Sequence, residues 1–282
     1  MKYVHALEGS LIAFVILILI TILAPGAGPS EEVKIILTIT TFLFAILLGF
    51  FLNRLNSRYN DIRRLVAEED AYFLSFYKTS QFYGKKFADR IKNLIDKYYV
   101  CAYDFTLSDY SHSYRCNSKY FLQMWDELRK HGKNYKKQST YSKLTSDLTS
   151  IEKCRNTSSV ISSEKLGYGQ WFTLLILSGI ILFSLFYLKT DELYSQIITI
   201  LLSTGLLMIL LILRDLQNLM LGGKSLLVES GQEVLELIGC IRYYNEIQVK
   251  NGISYIPEDV KVYRLGLHSP GSEKLNIKIV RK

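Results

Sequence analysis

The sequence predicts an all-α membrane protein with four transmembrane helices and a helical cytoplasmic insertion between the second and the third. Two observations carry that class. Four long uncharged runs, Leu11 to Ala24, Ile35 to Asn53, Trp171 to Leu188 and Leu193 to Leu213, each come close to the roughly 20 residues that cross a hydrocarbon core as a helix. The remaining sequence holds the charge: the 282 residues carry a net charge of +8 at a positive mean hydropathy, so apolarity and charge are segregated rather than mixed. Backbone amides in lipid find no water, and uninterrupted runs of this length satisfy them only as helices. A β-barrel is thereby excluded.

Taken in order, the first run follows Lys2 and ends at Ala24-Pro25-Gly26-Ala27, a pattern that fits a span and also fits a cleaved signal peptide. Beyond the second run, the stretch from Arg54 to Lys165 holds 21 basic and 13 acidic residues. Arg54, Arg58, Arg63 and Arg64 lie directly beside the span, where positive charge faces the cytoplasm most consistently. The short connections Pro25 to Lys34 and Lys189 to Glu192 carry Glu31, Glu32, Asp191 and Glu192 against Lys34 and Lys189, which suits the outer side. The reading is a multi-pass protein of the cell membrane with both termini cytoplasmic. Residues 1–53 form the first two transmembrane helices, 54–169 a basic helical insertion, 170–214 the third and fourth helices, and 215–282 a cytoplasmic tail.

From the second span into the insertion, no Pro or Gly interrupts Phe50 to Tyr83, and Ile62, Leu65, Val66, Phe73, Phe76 and Tyr77 recur at helical spacing. The second span therefore continues as one long helix until Gly84 ends or kinks it. Phe87 to Tyr99 reads as a second amphipathic helix on Phe87, Ile91, Leu94, Ile95 and Tyr98. The Ser, Asp and Tyr content of Tyr103 to Ser118 predicts a loop. Helices are expected at Tyr120 to His131 and Leu144 to Cys154, with a solvated connector from Lys133 to Lys143. After the fourth span, Leu216 to Met220 extends the helix until Gly222-Gly223 breaks it, and Gln232 to Ile238 forms a helix stopped by Gly239. The tail alternates apolar and polar residues and suggests a hairpin about Ser269-Pro270-Gly271.

Recognisable catalytic chemistry is missing from the sequence: it has no phosphate-cradling loop, nucleophile elbow or paired metal-ligand spacing. No catalytic residue, metal site or cofactor is expected. His5, His112, His131 and His268 are scattered and read as surface residues. Cys101, Cys116, Cys154 and Cys240 lack C-x-x-C spacing and fall in segments assigned to the reducing cytoplasm, so free thiols are expected. The acidic triplet Glu68, Glu69 and Asp70 points in three directions around a helix and is read as ion pairing, for instance Arg64 with Glu68. Lys85-Lys86 and Lys133 to Lys137, interleaved with some of the 20 tyrosines, suit anionic lipid better than nucleic acid, and no nucleic-acid partner is expected.

Along the second span, Phe42, Ile46 and Phe50 recur every fourth residue as a bulky apolar stripe, with Thr38 and Thr41 nearer its outer end. In one chain such a stripe is ordinary packing. If several copies of the helix surround an axis, it becomes a stack of hydrophobic rings that gates by dewetting.

Gly49-Phe50-Phe51-Leu52 followed by Arg58-Tyr59 resembles the second-helix segment of bestrophins. The order of two spans, a long helical insertion, two spans and a tail resembles the uncharacterised prokaryotic bestrophin-like membrane family. The resemblance implies a homo-oligomer, expected to be a pentamer, that passes inorganic ions passively through a neck of rings falling on Phe42, Ile46 and Phe50. Arg54 and Arg58 then become candidates for charge at the inner mouth. Where calcium-gated bestrophins carry an acidic cluster, this chain reads Arg214-Asp215-Leu216-Gln217-Asn218 with one carboxylate, too few for a six- to eight-oxygen Ca²⁺ site. Ile46 replaces the Phe of vertebrate relatives, which leaves aperture and ion preference open. The competing reading is a non-conducting membrane scaffold whose cytoplasmic helices bind a partner or lipid, with the stripe buried within one chain.

Overall fold

A computed structural model describes residues 3–106, 109–135, 139–220, 228–272 and 274–282, the side chains of 131–135 and 228–229 apart. The chain divides into two compact units, Val4–Ser57 with Lys165–Gly222, and Met1–Tyr3 with Arg58–Glu164 and Gly223–Lys282.

The first unit holds α1 (Ala6–Leu23), the first part of α2 (Glu31–Ser80), α6 (Tyr168–Leu188) and α7 (Leu193–Gln217). All four helices are long and apolar enough to cross a membrane. Helix α1 packs along α7, and Asp215 accepts from the Ala6 backbone N–H at 2.8 Å, so the lone carboxylate after the fourth span caps the start of α1. At the other end Lys189 donates to the Thr21 carbonyl and Ala27 N–H to the Tyr187 carbonyl at 2.9 Å. Gly26 is required there, because a Cβ would lie 2.0 Å from the Lys189 carbonyl oxygen. Helix α7 stops at Gln217, short of the expected Met220. Leu219 takes a φ of 58°, and the Met220 N–H turns back to the Asp215 carbonyl, a Schellman-like stop. The Gly222-Gly223 break lies outside the described residues.

Helix α2 is continuous for 50 residues, as the uninterrupted pattern predicts, and its second part belongs to the other unit. A short 3-10 turn follows, ended by Gly84 at φ 96°. Helices α3 (Lys85–Tyr103), α4 (Tyr110–Tyr135), α5 (Ser139–Ser163), α8 (Val228–Leu237) and α9 (Glu246–Lys250) complete the helical set. Their core joins Phe73 and Phe76 of α2 to Phe87, Ile91, Ile95 and Tyr98 of α3, Phe121, Met124 and Leu128 of α4, and Leu144, Leu148 and Ile151 of α5. Arg64 pairs with Glu68 at 3.2 Å, as its i,i+4 spacing predicts.

Four expectations are corrected. Most of the loop expected over Tyr103 to Ser118 is the first two turns of α4, whose stripe Tyr110, Ser113, Asn117, Phe121, Met124, Leu128 is buried throughout; polar residues at two core positions concealed the helical period. The all-α class is too narrow, because the mostly helical chain also carries β1 (Tyr243–Asn245), β2 (Val262–Gly266) and β3 (Ile277–Arg281). The order is β1-β2-β3, with β1 parallel to β2 and β2 antiparallel to β3 across the expected hairpin. Cys101 and Cys116 form a disulfide with Cα atoms 6.0 Å apart because α3 and α4 pack together, while Cys154 and Cys240 are free. Finally, His268 is buried rather than on the surface. Its Nε2 lies 3.0 Å from Asp104 Oδ2, and the other Asp104 oxygen accepts from Tyr243 Oη at 2.6 Å and Asn245 Nδ2 at 3.0 Å, a clasp that ties the tail to the end of α3.

Candidate functional site

Helix α2 has two unlike faces within the first unit. Thr40, Phe44, Leu48, Phe51 and Leu55 are buried at helical spacing. Phe42, Ile46 and Phe50 lie on the other side and remain 66%, 55% and 63% exposed. The only described ring contact of Phe50 is with its chain neighbour Phe51, at 5.9 Å between centroids. Gly49, beside them, has open space where a Cβ would point. Thr38 is exposed as well and returns its hydroxyl to the Lys34 carbonyl at 2.8 Å. The predicted stripe is therefore a surface of the single chain, available to lipid or to another copy.

The two arginines proposed for the inner mouth part company. Arg54 is exposed. Arg58 is buried, donating Nε to the Ile161 carbonyl at 2.9 Å and Nη2 to the Ser162 carbonyl at 2.7 Å. These are among the last carbonyls of α5, which carry the negative end of its dipole; the Ile161 carbonyl also accepts from the Glu164 N–H at 3.1 Å. Arg58 thus anchors α5 to α2.

Sequence reasoning missed a second feature further along α2. Glu69 and Asp70 are not ion-paired on the surface like Glu68; both are buried and face a cavity of about 70 Å³. Tyr98 donates to Glu69 Oε1 at 2.5 Å, and Tyr99 donates to Asp70 Oδ1 at 2.6 Å. Burial is the main reason that the Glu69 carboxyl is pushed up to about 7 and that of Asp70 to about 6, because a charge is costly away from water. A signal was present in the sequence: Glu69 occupies a core position in the stripe Ile62, Leu65, Phe73, Phe76.

The geometry describes a mostly helical protein with four helices long and apolar enough to cross a membrane, the second of which continues from one unit into the other. The chain matches the Bestrophin-like domain over residues 10–218, and it belongs to that family. Among solved structures it is similar to a bacterial bestrophin homolog from Klebsiella pneumoniae carrying a tyrosine-to-alanine substitution, with a TM-score of 0.56 and 14% identity, covering 82% of this chain and 95% of that one. At that identity the likeness bears on fold alone. No curated protein matches the chain.

Proposed function

We propose that the protein is an ion channel in which five copies place their second helices around one axis. Phe42, Ile46 and Phe50 form stacked apolar rings of its neck, and ions pass down their gradient. Family membership supports a function of this kind. The observation that carries the reading is the exposure of those three side chains, since a neck requires them free of their own chain. The scaffold alternative requires the same stripe to be buried within one chain. In this reading the Arg54 to Lys165 segment lies in the cytoplasm, a compartment in which the Cys101–Cys116 bridge is open to reduction, and Arg54 supplies charge at the inner mouth. Arg58 acts there at most by holding α5.

Phe50→Ala tests the reading in planar bilayers. Truncation widens and wets a hydrophobic constriction, so single-channel conductance rises, and Phe42→Ala acts in the same direction. Unchanged currents in both variants would remove these residues from a neck.

A further inference from the structure

The cavity beside Glu69 and Asp70 has a charge imbalance that the proposed conduction path does not use. Its walls come from α2, α3, α4, α9 and the segment after α3, and include the rings of Tyr98, Tyr99, Tyr103 and Phe105. Asp70 accepts from Ser230 Oγ as well as from Tyr99. Ser113 also lines the cavity. It is 6% exposed, and none of the hydrogen bonds among the described residues involves its hydroxyl. Arg155 of α5 lies over the Tyr98 ring at 5.4 Å, and its Nη2 is engaged by Asn117 and Ser118, each at 2.8 Å.

The titratable groups lining this space are Glu69 and Asp70 on α2, Tyr98, Tyr99 and Tyr103 on α3 and Tyr110 on α4, while Arg155 of α5 acts on Glu69 from beside the Tyr98 ring and Glu233 of α8 acts on Asp70 from an exposed position. Two buried carboxylates have one buried guanidinium in their neighbourhood. With both ionised, the site lacks one positive charge, and a buried unpaired charge is strongly unfavourable.

We propose that this cavity binds a small monovalent cation between the Glu69 and Asp70 carboxylates, with the tyrosine rings as its walls and Ser113 as a neutral oxygen ligand. Aromatic faces attract cations, and the Tyr98 and Tyr99 hydroxyls direct their protons to the carboxylates, leaving oxygen lone pairs for the ion. The volume admits an alkali ion with a water molecule or a small alkylammonium. The proton is the competitor: both carboxyls titrate high, so binding releases protons, and affinity falls by up to about tenfold per pH unit for each carboxyl below its own titration.

The test uses the full-length protein in detergent, with its unfolding midpoint followed by circular dichroism at fixed ionic strength. Chlorides of sodium, potassium, methylammonium and N-methylglucamine are compared, the last as an ion too large for the cavity. The expected result is a saturable rise of the midpoint with a small cation over N-methylglucamine, larger at pH 8 than at pH 6. A response to sodium or potassium identifies an alkali site, and a response to methylammonium alone an amine site. Glu69→Gln and Asp70→Asn should abolish the rise, and Ser113→Val, which leaves both carboxylates in place, should weaken it several-fold. Equal midpoints in all four chlorides at pH 8, or a full response in folded Glu69→Gln and Ser113→Val proteins, would overturn the proposal. Because the readout is unfolding, it is independent of whether the protein conducts.

Discussion

The two units of the chain are built on opposite rules. Among the four candidate membrane helices the buried positions mix Ser10, Thr21, Ser178, Ser184, Thr199 and Ser203 with apolar residues such as Phe44, Leu48 and Leu174, while Leu11, Ile16, Leu19, Phe42, Phe172 and Leu201 face outward. In the other unit the large apolar side chains Phe73, Ile91, Ile95, Met124 and Leu128 fill the core, and the ion pairs Arg64 with Glu68, Arg90 with Glu127 and Arg129 with Asp126 lie toward solvent. The contrast follows from the solvent. Lipid is as apolar as leucine, so helices within it associate through small residues and polar contacts, whereas water drives apolar area inward. Large apolar side chains on the outside of the first unit therefore need no explanation in general. The three on α2 draw attention through the bestrophin-like context, not through exposure alone.

Paired truncations sharpen this contrast most strongly. Ile95→Ala removes a fully buried side chain and should cost about 2–5 kcal/mol. Leu19→Ala, at an outward-facing position of α1, should cost less than about 1 kcal/mol because lipid fills the space. Thermal unfolding in nanodiscs checks both, and equal losses would contradict the assignment of two solvents. A smaller effect concerns pH. Glu69 and Asp70 hold their protons to higher pH when folded than when unfolded. Their contribution to stability is therefore fully present below pH about 4 and is lost as pH rises through about 6 to 7. In the absence of small cations the wild type should lose stability across that window, and Glu69→Gln should flatten the slope. A wild-type midpoint that rises from pH 5 to 7.5, with no difference in Glu69→Gln, would contradict this reading of the cavity.

Much of the fold was legible in the sequence because its periods were clean. The four uncharged runs, the unbroken continuation of α2 and the α3 stripe through Phe87, Ile91, Leu94, Ile95 and Tyr98 each carry their period in apolar residues. The first half of α4 was hidden because Ser113 and Asn117 sit where apolar residues would be expected, and Asn117 is there to bind Arg155. The sheet was only half visible: β2 and β3 alternate, but β1 is three residues long and pairs in parallel at a distance that no local pattern reveals. Contacts across the chain were not legible at all. The Cys101–Cys116 bridge and the seat of His268 on Asp104 depend on which helices and strands meet. Arg58 next to a span suggested membrane or pore chemistry, yet its partners lie more than a hundred residues away on α5. Glu69 was read as one member of a surface triplet, although its place in the apolar stripe marked it as buried.

The central claim is that α2 is shared around an axis, and the subunit number tests it most directly. Light scattering of the detergent-purified protein, with the detergent mass subtracted, should give five copies of the 32.5 kDa chain. A stable monomer would leave Phe42, Ile46 and Phe50 facing lipid alone and would contradict a neck made by the second helices.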